Sequence, residues 1–419
     1  MAAQRNFTTL LLHLPKQLNA MRSYHKSSIY VHWPYCTKLC TYCNFNKYLS
    51  AKGDDVEMQK CLVLELETMI RLTQTEEIHS VYFGGGTPSL AGPDTVVAIL
   101  NSLAQLCNVP ADVEISLEAN PSEWHKFQDF KLAGINRLSI GLQCLVDRDL
   151  LLFNRSHSRE CGLKALETGR GLFPGRTSVD VLFGRPSQTL ESWREELKEI
   201  TKACDSHVSL YELTVEQGTP LARSVKNGTV MLPNEDLVAD MYLTALQELS
   251  RNNIHRYEVS NFAVSGSECV HNMHYWQGGE YIGIGPGAHS RISLPANRSQ
   301  RLAVVHTPEP KRWMKQVLAY GCGTAKSEHL SSKARIKELI MTMLRTRQGM
   351  LYTVLDGLFP GYSSSAHDLF RQSDTISGLV EENLLQLDER GLRATDAGLN
   401  VVDSIVCDVF DCQDQAYDS

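Results

Sequence analysis

Cys36, Cys40 and Cys43 form a C-x3-C-x2-C array inside the stretch Tyr30-Val-His-Trp-Pro-Tyr-Cys36-Thr-Lys-Leu-Cys40-Thr-Tyr-Cys43-Asn-Phe-Asn46. Three thiolates so close in sequence can wrap one metal centre. A cubane iron–sulfur cluster held by only three cysteines keeps one iron open to another ligand. Zinc is the main competitor, but structural zinc takes four protein ligands, commonly in paired C-x2-C units, and no second pair or nearby C/H partner follows here. Three thiols that are simply buried is the remaining alternative.

The elements that must position these cysteines follow a repeating order. A β-branched and aromatic run, Ile29 to Trp33, reads as a strand ahead of the array. Helix Val56 to Leu72, strand Ile78 to Phe83, helix Pro93 to Leu106, strand Val113 to Glu118, helix Trp124 to Ala133 and strand Asn136 to Gly141 come next. Helix Arg159 to Gly171, strand Thr177 to Phe183, helix Thr189 to Ala203 and strand His207 to Leu213 complete the series. Strands alternating with helices of this length imply βαβ units and a parallel sheet. Six βα-type repeats predict an α/β fold, a partial TIM-like (β/α)6 barrel. A Rossmann sheet is the alternative, but a G-x-G-x-x-G fingerprint after the first strand is missing.

In such a barrel the chemistry sits at the carboxyl ends of the strands. Residues with chemical content fall there: the cysteines after strand one, Gly84-Gly85-Gly86-Thr87 after strand two, Glu118 ending strand three, Gln143 after strand four and Asp180 late in strand five. A glycine run marks either a turn or a place where backbone must approach a ligand closely. A carboxylate at a strand end is either solvated or able to accept both hydroxyls of a ribose.

The array, with Tyr42 before its last cysteine, resembles the cluster loop of radical S-adenosylmethionine (SAM) enzymes. The flanking residues, Tyr30 to Cys36 and Cys43-Asn-Phe45-Asn, resemble the branch that holds the oxygen-independent coproporphyrinogen III oxidases and the heme chaperones. The oxidases carry a further cysteine two residues after the third, where this chain has Phe45, and that departure favours the chaperones. The resemblance implies a [4Fe-4S] cluster on Cys36, Cys40 and Cys43, with SAM on the open iron. It carries SAM-contacting positions onto Tyr30, Tyr42, Gly86, Thr87, Glu118, Gln143, Arg155 and Asp180. Arg155 matches less well, because Asn154 stands where the family shows glycine. Reductive cleavage of SAM is the chemistry implied, and the competing activity is oxidative decarboxylation of coproporphyrinogen III.

His271-Asn-Met-His-Tyr-Trp276 is the second stretch with chemical content. An imidazole can bind heme iron axially, and the aromatic and thioether side chains could pack on a porphyrin face. A histidine among aromatics is otherwise a hydrogen-bonded core residue. The run matches the H-N-x-x-Tyr-Trp signature of the heme-chaperone branch, which implies heme as a ligand. His271 is the first choice of axial ligand, followed by His274 and His289, with a thiolate ligand from Cys269 also open. Heme-receiving respiratory-chain proteins are the implied partners, and the resemblance leaves room for a homodimer.

Composition bounds the rest. The chain has 419 residues, 42% of them hydrophobic, and a net charge of −7. Residues 1–53 contain seven Lys/Arg and no acid, so the remainder carries −14. That acidic body argues against nucleic acid as a partner. Arg5, Lys16, Arg22 and Lys26, with apolar residues at helical spacing broken by Pro15, fit a mitochondrial transit peptide over 1–28, the alternative being an ordinary N-terminal tail. No stretch approaches a membrane span, so membrane association is peripheral at most. The nine other cysteines are scattered and read as reduced thiols. The expected domains are the barrel over 29–265, a heme-binding segment and linker over 266–330, and a winged-helix-like C-terminal domain over 331–419. The last is built on helix Ala334 to Leu344, helix Ser377 to Glu382, a small hairpin, and a helix from Asp396 capped by Thr395.

Overall fold

The structure is a computed structural model that describes residues 25–50, 55–359 and 362–418. Most of the expected transit peptide therefore lies outside the described residues. The chain divides into two compact units. The first takes residues up to His255 together with Ala263–His271 and Glu280–His329; the second takes Arg256–Phe262, Asn272–Gly279 and the chain from Leu330.

In the first unit, β1 (Lys26–Trp33), β2 (Glu77–Gly85), β3 (Glu114–Ala119), β4 (Arg137–Gln143), β5 (Thr177–Phe183) and β6 (His207–Glu212) lie side by side in chain order, every pair parallel. Helices Asp55–Thr73, Pro93–Leu106, Arg159–Leu172 and Leu190–Ala203 cross between them. This is the partial (β/α)6 barrel that the alternation predicts. The strands are buried on both faces, as parallel sheets covered by helices require: Ile29, Val81, Leu117, Ile140, Val179 and Val208 are all inaccessible or nearly so. Helix Leu190–Ala203 starts on a Thr189–Ser192 capping box and places Trp193 in the core, where its indole donates to the Met241 carbonyl at 2.9 Å.

β1 takes in the last three residues of the expected leader, 26–28. Ser27 and Ser28 are buried, and Ser28 Oγ pairs with Ser80 Oγ at 2.8 Å. A boundary at residue 28 would cut into the first barrel strand.

Much of the 266–330 stretch, expected as a heme-binding segment and linker, is sheet. β7 (Tyr281–Ile284) pairs in parallel with the outer edge of β1. β8 (His289–Leu294) and β9 (Asn297–His306) continue antiparallel, and β10 (Thr324–Leu330) follows, so that on this side of β1 the order is β10-β9-β8-β7-β1. The extension is fixed by Glu65, a fully buried carboxylate on helix Asp55–Thr73. It accepts from Gly285 N at 2.8 Å, Gly323 N at 2.7 Å and Trp313 Nε1 at 3.1 Å, and lies 3.1 Å from His306 Nδ1.

The second unit has helices Ser332–Leu344, Tyr352–Leu358, Tyr362–Gln372, Asp374–Glu381 and Val402–Asp418 and a three-stranded sheet of Met350–Leu351, Gly391–Ala394 and Leu385–Asp388. Ile340, Leu344, Leu355, Phe370, Leu392 and Val409 form its core. Thr395 Oγ1 accepts from Gly398 N at 3.0 Å ahead of a short 3-10 turn, Gly398–Asn400, and the last helix starts only at Val402. Among the described residues no helix is long and apolar enough to cross a membrane.

Candidate functional site: a cavity lined by the three cysteines

The cluster loop leaves β1 and is tied down along its length. Tyr35–Cys36 pairs with Tyr48–Leu49, closing the loop at its base. Thr41 Oγ1 donates to the Leu152 carbonyl at 3.0 Å and Thr41 N to the Phe153 carbonyl at 3.2 Å. Asn46 Nδ2 donates to the carbonyls of Pro286 at 2.8 Å and Pro308 at 3.1 Å.

Cys36, Cys40 and Cys43 all line one cavity of about 450 Å³ at the carboxyl ends of the barrel strands. Gly86, Thr87, Glu118, Gln143, Arg155 and Asp180 line the same cavity, as does Tyr42. Two of the predicted residues do not. Tyr30 lies behind the cavity, stacked on Tyr82 with ring centroids 6.2 Å apart, and Gly84 packs over its ring. His271 is buried, its Nδ1 2.9 Å from Ser80 Oγ and its backbone N donating to Glu114 at 3.1 Å. The Ser80 contact engages Nδ1, and a histidine that ligates iron through Nε2 keeps such a bond on its other ring nitrogen, so the contact is compatible with ligation. His274 is half-buried and His289 exposed.

The donor set suits thiolates. Thr87 Oγ1 donates to Cys36 Sγ at 3.3 Å, and Arg155 Nη1 to Cys40 Sγ at 3.4 Å. Burial pushes the Cys36 thiol up, and the Thr87 bond works against that. Three thiols lining one cavity fit a cubane, in which each cysteine meets a different iron. Arg155 Nε is buried with no hydrogen-bond partner among the described residues, an orphan donor at the cavity wall.

The backbone here has conformations that few residues tolerate. Gly85 has φ +114°, and an added Cβ would meet the His32 ring at 2.6 Å. At Gly86 it would meet the Pro34 carbonyl at 2.8 Å. Gln143 takes φ 68° at the end of β4, where the register against β5 shifts. A non-glycine residue in left-handed backbone at a site is held there by its surroundings. Asn154 likewise has φ 57°, which explains how asparagine replaces the family's glycine, and its Nδ2 donates to the Leu39 carbonyl of the cluster loop at 3.0 Å.

Two carboxylates dominate the electrostatics. Glu118 accepts from Tyr82 Oη at 3.0 Å and Gly85 N at 3.1 Å, yet burial and the nearby Asp180 push its pKa up to about 7. Asp180 takes both oxygens to Ser139 Oγ, at 2.9 and 3.1 Å, and burial raises it to about 6. Buried carboxylates with raised pKa values in a cavity mark a site awaiting hydrogen-bond donors or positive charge. Sequence reasoning missed Tyr82, which holds Glu118, and Lys47, whose ammonium donates to the Cys43 carbonyl. Tyr82 looks like any strand aromatic; only its two-residue offset from Ser80 on the same face of β2 hinted at an inward role.

The chain is similar to known proteins over most of its length. The Radical SAM superfamily profile matches residues 30–200, and that of the HemN C-terminal domain matches residues 330–401. Radical S-adenosyl methionine domain-containing protein 1, mitochondrial, from Bos taurus is 42% identical over 94% of this chain and 89% of its own length. The heme chaperone HemW of Mycobacterium tuberculosis is 34% identical over 77% of this chain and 82% of its own. The Escherichia coli coproporphyrinogen III oxidase structure (HemN) shares the fold, with a TM-score of 0.75 at 21% identity, covering 97% of this chain and 93% of that one. By these matches and by the cysteine-lined cavity, the chain belongs to the radical SAM superfamily, in the branch that holds mitochondrial radical SAM domain-containing protein 1 and the HemW heme chaperones.

Proposed function

We infer that this protein is a heme chaperone: it holds a [4Fe-4S] cluster on Cys36, Cys40 and Cys43, binds SAM at the open iron, and carries heme to respiratory-chain proteins in the mitochondrion. The observation that carries the reading is the single cavity where those thiols meet Glu118, Gln143, Arg155 and Asp180. The heme and the compartment rest on the names of the relatives, HemW and a mitochondrial protein.

When bound, the cluster and SAM supply one-electron chemistry. The chain's own residues do the positioning. Thr87 and Arg155 donate to cysteine sulfurs. The Gly84–Gly86 backbone passes close to the cavity, and each Glu118 oxygen keeps a lone pair for a ribose hydroxyl beyond the bond it already accepts. Heme binds at the His271–Trp276 run, with His271 as axial ligand ahead of His274 and His289. Tyr275, 37% exposed, offers a ring to the porphyrin. Phe45, 68% exposed, occupies the place of the oxidases' extra cysteine.

The test is anaerobically reconstituted protein titrated with heme and separately incubated with coproporphyrinogen III and SAM. The expected result is a Soret shift that H271A weakens, without conversion of coproporphyrinogen III. Turnover of that substrate would replace the chaperone with an oxidase.

A further inference from the structure

The first histidine of the H-N-x-x-Tyr-Trp run reaches the barrel interior. Its Nδ1 lies 2.9 Å from Ser80 Oγ, which in turn pairs with Ser28 Oγ at 2.8 Å, and its backbone N is held by Glu114. Ser80 and Tyr82 are two residues apart on β2, and Glu114 and Glu118 are four apart on β3, so each pair faces one side of its strand. His271 thus occupies the layer directly beneath Tyr82 and Glu118.

Tyr82 is clasped from two sides. Its ring lies 5.0 Å from that of His271, tilted by 30°, and 6.2 Å from that of Tyr30, stacked at 20°. The clasp aims the phenol at Glu118 Oε1, 3.0 Å away, while Glu118 Oε2 takes Gly85 N. Glu118 and Gly85 line the cavity; neither Tyr82 nor His271 does.

We propose that His271 is a positioning residue of the SAM site, bracing Tyr82 so that Glu118 and the glycine turn hold their places, whatever part it also plays toward heme. This inference rests on the cavity's binding SAM. Without the imidazole, Tyr82 keeps one stacking partner, and the hydrogen bond that orients Glu118 loosens. The first histidine of the H-N-x-x-Tyr-Trp run then serves the cluster cavity without lining it.

The experiment measures SAM retention by equilibrium dialysis on heme-free, anaerobically reconstituted full-length protein, with iron content and thermal midpoint followed in parallel. H271A and Y82F each weaken SAM retention about tenfold, the usual scale for loss of an outer partner of a ligand-contacting group. The double variant loses little more than either single one, because both act through the same bond. H271F keeps a ring against Tyr82 and returns retention to near the wild-type value, a rescue that a histidine acting only as an iron ligand would not give. Unchanged retention in folded, iron-loaded H271A or Y82F overturns the proposal, as does H271F matching H271A. If H271A fails to fold, Y82F and H271F decide. Wild-type protein that retains no SAM overturns the cavity reading and this inference together; wild-type retention with unmoved variants overturns this inference alone.

Discussion

Arg155 Nη1 donates to Cys40 Sγ at 3.4 Å while its Nη2 donates to the Gly141 carbonyl at 2.7 Å, so one guanidinium joins the cluster loop to the end of the fourth barrel strand. Burial alone would draw its pKa down, but the acidic groups of Tyr42 and Cys40 beside it outweigh burial and keep it charged. A hydrogen bond to a charged group contributes about 1.5–3 kcal/mol. R155M removes both bonds with little loss of volume. Its expected effect is SAM binding weakened by at least about tenfold and faster iron loss to a chelator. Iron-release kinetics and SAM dialysis check it.

Gly86 allows no side chain. A Cβ there would lie 2.8 Å from the Pro34 carbonyl carbon and oxygen and 2.9 Å from the Tyr35 carbonyl, and backbone cannot swing aside as a side-chain tip can. G86A is expected to destabilise the protein by about 1–3 kcal/mol. It should also abolish SAM retention, because the displaced segment carries Thr87 and Cys36 with it. Urea unfolding paired with SAM dialysis separates the two effects.

The raised carboxylates set a pH dependence. Glu118 at about 7 and Asp180 at about 6 hold their protons more tightly in the folded state than in the unfolded chain. Their contribution to stability is full below the ordinary carboxylate range and is lost as pH rises through about 6 and then about 7. The thermal midpoint of cofactor-free protein is therefore expected to fall between about pH 5 and about pH 8, and E118Q should flatten the upper part of that fall. A slope that survives E118Q and D180N together places its cause elsewhere.

How much of this is legible in sequence depends on the reach of the interaction. Helix Pro93–Leu106 and strand Thr177–Phe183 match their expected bounds because apolar periodicity and an N-terminal proline are local signals. The cysteine array and the strand-end acids are equally local, and the cavity gathers all of them. The β7–β10 extension is not local. Tyr281-Ile-Gly-Ile is short and glycine-broken, and it becomes a strand only because the edge of β1 and the Glu65 carboxylate, more than two hundred residues earlier, are waiting for it. Tyr82 was hidden for the same reason: its meaning lies in a partner on another strand. Thr395 did carry a capping signal, but a 3-10 turn took it before the long helix.

Glu65 provides a test of that extension. E65A leaves Trp313 and two backbone N–H groups without their acceptor in a buried interior and removes the carboxylate beside His306. The expected cost is about 3–5 kcal/mol, as for removal of one partner from a buried charged network. Hydrogen exchange should show protection lost first in residues 281–330. Uniform loss across the barrel would argue that Glu65 serves the whole unit.

The most direct measurement is electron paramagnetic resonance of the anaerobically reconstituted, reduced protein with and without SAM, alongside iron and sulfide analysis. Three cysteines leaving one iron open predict about four iron and four sulfide per chain, and a cluster signal that SAM reshapes. They also predict loss of that signal when Cys36, Cys40 or Cys43 is changed to alanine. A chain that takes up no iron, or a cluster whose signal SAM leaves untouched, would contradict the account.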